Sequence, residues 1–484
     1  MSASCGTAGC PTAGCGSGTQ APTGPVPLAL TSRPGALPAT AARGPWFHLV
    51  EGCPPLVFLV ERSAVFEVEP GFAAALHASD PEAVAQLASV RDVVEAPGHP
   101  PEGLRELGPL PAPRAISLNV AQSCNLACSY CYADEGRFGG AARRMPLAVA
   151  RRAVDELLRT ALPGEAVLVG FIGGEPLLNR AVVHDTVAYA TARAASCSVG
   201  VGFSITTNGT LVRAVDVALF RANPFTVTVS VDGGVQTHDR HRHRRNGSGS
   251  WHSVIERLHP LLDEPGRCLV SARATVTRDD LDIARRVRDL AAAGFREVGV
   301  SPARTGPDPR VLLVGEDWAE YLRGLVAAAE AEIVRLRRDG TRGGWLFSNL
   351  GTAMTEIHRG TARPLPCGAA YGYLSVDVDG AYSTCHRTVG DPRFLVGAPA
   401  APSAPARRRF LAPRLVDRQE PCRSCWARYL CGGGCHAEVV QAGRDNGNCD
   451  LIRGWLDYCL GRYPALRGEF PELFNPTPAK VATS

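Results

Sequence analysis

The sequence predicts an α/β protein built on parallel strands, and three observations carry that reading. Between residues 116 and 310, apolar strand-like runs alternate with helical patterns six times, as strands joined by crossover helices require. Polar turns follow four successive strands, and the first of these turns holds three cysteines in a C-x3-C-x2-C spacing, "CNLACSYC". Seven further cysteines lie between 367 and 449 in a Gly-rich stretch of little periodicity, as expected of a unit held by metals rather than by a large core. Parallel strands with crossovers make either a doubly wound sheet or an incomplete barrel. Both gather their chemistry at the carboxyl ends of the strands.

Taken in order, residues 1–43 are rich in Gly, Pro, Ala, Ser and Thr and repeat "TAGC", spacing Cys5, Cys10 and Cys15 evenly. Such composition buries no core and predicts disorder. Residues 44–95 predict a small α+β unit, from the strands "WFHLV", "PLVFLV" and "AVFEV" and the helices "GFAAAL" and "PEAVAQLASV". A Pro-rich linker spans 96–115. The strands of 116–310 are "ISLNV", "VLVGFI", "VGFSITT", "FTVTVSV", "CLVSARAT" and "EVGV", with helices such as "PLAVARRAVDELLRTAL" between them. Residues 311–340 predict one long helix within a bridging segment, 311–362. The cysteine-rich unit covers 363–460, and 461–484 form a C-terminal tail.

At 484 residues the chain exceeds one ordinary core. Its apolar share of 45%, its charged share of 20% and its net charge of +4 describe a globular protein with no electrostatic case for nucleic acid. No run of about 18 apolar residues and no signal-like N-terminus is present, so the expectation is a cytoplasmic protein without a membrane span. In a reducing compartment the 17 cysteines point to metal ligation rather than disulfides. The isolated Cys53, Cys197, Cys268 and Cys459 read as small apolar core residues.

Cys124, Cys128 and Cys131 supply three thiolates where an iron–sulfur cube or a structural zinc takes four ligands. A zinc knuckle completed by a distant His is the plain alternative. The second strand ends in "GGEP": Gly173 and Gly174 allow close backbone approach, Glu175 can accept from an amine, and Pro176 closes the motif. The third ends in "TTNGT" with Thr207 and Asn208, the fourth in "SVDGG" with Ser230 and Asp232. A single such turn is ordinary; four beside a three-thiolate site are not. The basic run "HDRHRHRRNGSGSW" after the fourth strand is either a solvated loop or a grip on a carboxylate, with Arg242 as its leading member.

Together these features resemble the radical S-adenosylmethionine (SAM) superfamily, whose C-x3-C-x-aromatic-C signature is matched by Cys124, Cys128, Tyr130 and Cys131. The resemblance implies a partial (β/α)6 TIM-like barrel. It also implies a [4Fe–4S] cluster on the three cysteines, with SAM chelated to its fourth iron and cleaved to a 5′-deoxyadenosyl radical. It puts the methionyl amine at "GGEP", Tyr130 near the adenine, and Ser230 and Asp232 on the ribose side. The stretches "CGAAYGYLSVDVDGAYSTCHR" and "CRSCWARYLCGGGCHAEV" resemble a SPASM domain with two auxiliary [4Fe–4S] clusters. Cys422, Cys425, Cys431 and Cys449 match the ligands of one, leaving Cys367, Cys385 and Cys435 for the other. Seven thiols for eight positions leave Cys459 or an open iron. A pair of zinc ribbons is the alternative for these cysteines.

Most proteins carrying both signatures modify polypeptides, so the resemblance implies a ribosomally made peptide or protein as substrate and a flavodoxin- or ferredoxin-type electron donor. Over residues 116–460 the phrasing is most similar to thioether-forming peptide maturases. Sulfatase maturases, which make formylglycine, place an aspartate just after the cysteine matching Cys385, where this chain has His386. The 44–95 unit weakly resembles a leader-binding element, in which a peptide adds a strand to a sheet edge. An iron–sulfur electron carrier or a metal-scaffolded binding protein is the non-enzymatic alternative.

Overall fold

The computed structural model describes residues 46–93, 106–399 and 401–474. The expected disordered segment 1–43, with its TAGC repeats, lies outside the described residues, as do much of the linker and the last ten positions.

Three short strands, β1 (Phe47–Val50), β2 (Leu56–Leu59) and β3 (Ala64–Glu67), form an antiparallel sheet in the order β1-β2-β3, followed by helices Pro70–His77 and Pro81–Val93. Val57, Leu59, Phe66, Leu76 and Leu87 make a separate core between sheet and helices. The unit docks on the C-terminal part of the chain. The His48 ring stacks on Trp426 at 3.8 Å, and its Nε2 lies 2.7 Å from Asp457.

The large sheet has ten strands. Six come from the expected alternation: β4 (Ala115–Ala121), β5 (Ala166–Gly173), β6 (Gly200–Thr207), β7 (Phe225–Ser230), β8 (Leu269–Val276) and β9 (Val298–Pro302). They pair in parallel in sequence order. The sheet does not stop at β4. β10 (Tyr373–Val376) adds in parallel beside it, and β11 (Tyr382–Ser383), β12 (Leu395–Ala398) and β13 (Ala401–Pro402) continue antiparallel from there. The cysteine-rich unit thus extends the barrel sheet instead of standing apart. These added strands have two to four residues each, too short for a period of two to show in the sequence.

The two faces of the sheet differ. Phe171, Phe203 and Phe225 stack on one face, with Phe203 and Phe225 centred 5.3 Å apart and Phe220 of the outer helix Ala214–Ala222 packed against them. The other face carries small residues in register across five strands: Ser375, Ser117, Gly170, Ser204 and Thr226. A Cβ on Gly170 would lie 2.9 Å from the Ser204 hydroxyl.

The long helix runs from Asp317 to Asp339. It starts later than expected because Gly315 takes a left-handed φ of +52° and the Asp317 carboxylate accepts from the Val314 amide, fixing the first turn there. A second long helix, Asn446–Glu469, crosses the expected boundary at 460. It packs along the first through Tyr458 and Arg462, both bonded to Glu330, and through Arg337 and Glu469. Among the described residues no helix is long and apolar enough to cross a membrane.

Removing the central ring of the aromatic stack by Phe203→Ala is expected to cost about 3–5 kcal/mol, read as a lower thermal midpoint of the anaerobically purified protein.

Candidate functional site

The site sits at the carboxyl ends of β4 to β8. After β4 the chain turns through Cys124, Cys128 and Cys131, and "GGEP" holds the base of that turn. The amides of Gly174 and Glu175 donate to the carbonyls of Ala121 and Ser123, each at 2.9 Å. A Cβ on Gly173 would lie 2.3 Å from the Ala121 oxygen, and one on Gly174 2.3 Å from the Ser123 oxygen. Only glycine permits this approach.

Glu175 is fully buried, and its carboxylate turns into the protein. It accepts from Leu177 N at 3.0 Å, the Thr207 hydroxyl at 2.8 Å and Asn208 N at 2.8 Å, joining the end of β5 to the end of β6. Burial raises its pKa to about 7 despite these donors. The carboxylate expected to meet an amine therefore already has three protein donors, and backbone edges are what "GGEP" offers a ligand. Pro176 is buried at the start of a short 3-10 turn.

Asn208 reaches the cysteine turn. Its Nδ2 lies 3.6 Å from Cys124 Sγ and donates to Asn125 Oδ1 at 3.0 Å. Asp232 is buried beneath Tyr130, whose hydroxyl donates to it. Arg242 Nε sits 3.1 Å from the same carboxylate, off the hydrogen-bonding angle, while the guanidinium lies 5.4 Å from the Tyr130 ring centre and 3.9 Å from Cys128 Sγ. The Thr275 amide of β8 donates to the other Asp232 oxygen at 2.9 Å. Burial, the largest single influence, would raise the Asp232 pKa, but the Arg242 charge together with His238, the Tyr130 hydroxyl and the Thr275 amide outweighs it and holds the carboxyl below its usual range. Arg242, expected to grip a ligand carboxylate, is thus paired inside the chain. Ser230 ends β7, half-buried.

The rest of the basic run clasps the cysteine turn. Arg245 contacts Glu135 at 2.6 Å and the Cys124 carbonyl at 3.2 Å, and His241 bridges Ser129 and Asp279. Sequence reasoning missed Asn125 and Thr275, and within the basic run it gave His241 no part of its own. Each acts by position alone, and no local pattern marks it.

The C-terminal cysteines fall into two sets by mutual proximity. Cys435 lies close enough to Cys367 and Cys385 to bear on their ionisation, and Cys425 and Cys431 bear in the same way on Cys422 and Cys449. A cavity of about 240 Å³ is lined by Cys422, Cys425, Cys431, Cys435 and Cys449. Cys459 belongs to neither set. It is buried in the apolar core, and desolvation alone raises its pKa well above the usual value.

The donors fit iron–sulfur clusters. Burial pushes Cys124 to about 12 and Cys128 to about 11, so these thiols ionise only against a compensating cation such as iron. Among the described residues, no three His, Cys, Asp or Glu side chains converge on a single ion position. A cube asks for something else, one thiolate at each of several iron corners.

Residues 118–268 match the family profile of the Radical SAM superfamily. That stretch is a radical SAM domain. The chain is 23% identical over 339 residues to a serine-type anaerobic sulfatase-maturating enzyme of Klebsiella aerogenes, covering 67% of this chain and 80% of that one. It is 26% identical over 360 residues to mycofactocin maturase MftC of Mycolicibacterium smegmatis, covering 72% and 84%. The solved structure of anSMEcpe with bound AdoMet shares the fold, at a TM-score of 0.62 and 16% identity, over 73% of this chain and 99% of that one.

Asp232→Asn leaves the buried Arg242 without its counter-charge. A loss of about 3–5 kcal/mol is expected, measured by denaturation beside wild type.

Proposed function

We propose that the chain is a radical SAM enzyme that modifies a ribosomally made peptide or protein and closes a Cys thioether on it. The observation that carries the reading is the conjunction of one three-cysteine turn at the strand ends with a second cysteine set beside strands that extend the same sheet and a third lining a cavity that Cys435 of the second also reaches. Cys124, Cys128 and Cys131 would hold the SAM-binding [4Fe–4S] cluster, and the other seven cysteines two auxiliary ones. Bound there, a reduced cluster and SAM supply a 5′-deoxyadenosyl radical that abstracts hydrogen from carbon.

The chain's own groups prepare the site. The backbone edge at Gly173 and Gly174 would take the methionyl amine, since Glu175 is engaged elsewhere. Tyr130 and Arg242, fixed on Asp232, would wall the nucleoside side with Ser230. With Cys459 in the core, the set of Cys367, Cys385 and Cys435 has one position for an outside ligand, which suits a substrate thiolate. In the small N-terminal sheet, β3 pairs with β2 alone among the described residues, so a leader peptide would add a strand at its outer edge. A flavodoxin- or ferredoxin-type protein would supply the electron.

Formylglycine formation is the second reading, favoured by the likeness to a sulfatase-maturating enzyme. His386 speaks against it. It follows Cys385, pairs through Nδ1 with the Tyr373 hydroxyl at 3.0 Å, and is pushed by burial down to about 4, a neutral imidazole where those enzymes use aspartate.

Anaerobic reconstitution is expected to give about twelve irons per chain, four per cube, and 5′-deoxyadenosine that disappears in Cys128→Ala. Incubated with precursor peptides encoded beside its gene, the enzyme should yield a product lighter by two hydrogens, with one Cys blocked to alkylation. A product that reacts with hydrazide would establish formylglycine instead, and a protein carrying only zinc would remove the reading.

A further inference from the structure

The strongest unassigned feature lies between the two auxiliary cysteine sets. Arg414 is buried there at 7% exposure with His436 at 1%. Its guanidinium donates to His436 Nδ1 at 3.1 Å, to Gln419 Oε1, and to the carbonyls of Gly433 and Gly434 at 3.4 Å. None of these acceptors is a carboxylate. The charge instead bears on Cys422 of one set and on Cys435 and Cys367 of the other. The glycines make the fit. Gly432, Gly433 and Gly434 all take positive φ, and a Cβ on Gly433 would lie 2.6 Å from Gln419 Nε2.

Guanidinium nitrogen can only donate. His436 Nδ1 must therefore be the acceptor, and the ring proton of a neutral imidazole then sits on Nε2. That Nε2–H is buried and has no hydrogen-bond partner among the described residues. A buried donor without an acceptor is costly, and this one belongs to the residue directly after Cys435. Direct ligation of iron by Nε2 is excluded in this tautomer, because the lone pair is absent.

The geometry points to a hydrogen bond from His436 Nε2–H to a sulfur of the cluster on Cys367, Cys385 and Cys435, with Arg414 as the group that fixes the tautomer. This rests on the reading that the three cysteines hold such a cluster. A donor to cluster sulfur stabilises the more negative, reduced form. His436 is then a positioning residue that raises the potential of this cluster and makes it the better electron acceptor. The Phe410 ring, 5.4 Å away and near-perpendicular, is the competing neighbour. A proton directed at that ring would leave the potential indifferent to residue 436.

The test compares the reconstituted full-length protein with His436→Phe, which removes the N–H, and His436→Gln, which keeps one. Iron content and EPR of the auxiliary signals come first; a wild type lacking the second and third clusters defeats the underlying reading, not this inference alone. With clusters present, EPR-monitored titration should show one auxiliary midpoint shifted to lower potential in His436→Phe and restored towards wild type in His436→Gln. Equal midpoints in all three overturn the proposal. Should His436→Phe fail to load, 15N-histidine labelling decides between wild type and His436→Gln. A weak nitrogen coupling to the cluster, lost in the Gln variant, is expected. A coupling unchanged by the substitution, or one as strong as direct ligation gives, overturns it.

Discussion

The approach of two backbones, at Ser123 and Gly174, is the constraint on which the site depends. The parallel ladder of β4 and β5 continues past the strands through the amides of Gly174 and Glu175, and the cysteine turn starts where that ladder ends. Glu175 then carries the fixation sideways to Thr207 and Asn208 on β6. Asn208 returns it to Cys124. A loop with three free thiols would otherwise be mobile; here its first cysteine is tied to two neighbouring strands by main-chain geometry and one buried carboxylate.

A second fixation runs through Asp232. A buried carboxylate and a buried guanidinium are each expensive alone, but together they hold Tyr130 and set Arg242 against Cys128. The two fixations reach different cysteines from different strands. The protein's own contacts therefore set the places of Cys124 and Cys128.

Much of this was legible beforehand. The barrel strands read as short runs rich in β-branched and apolar residues between helical patterns, so all six stand out, and the cysteine spacings single out ten thiols of seventeen. What stayed hidden depends on contacts between distant residues. Nothing near Arg242 shows that Asp232 neutralises it, and nothing in "GGEP" shows that the carboxylate turns inward. β10 to β13 are too short to carry a period, so the junction of the cysteine-rich segment with the barrel sheet was invisible. The arithmetic of seven thiols left Cys459 open until its place in the apolar core became visible.

Cys449 lies in the opening turns of the helix Asn446–Glu469, far along the chain from Cys422, Cys425 and Cys431, whose set it joins. Chain order makes it the last of the four thiols to leave the ribosome, and the helix that carries it must dock along Asp317–Asp339 to bring it home. A nascent or truncated chain stopping short of this helix can present three thiols of that set but never the fourth. Completion of the set therefore waits on the arrival of a helix whose packing partner, Asp317–Asp339, lies more than a hundred residues earlier in the chain.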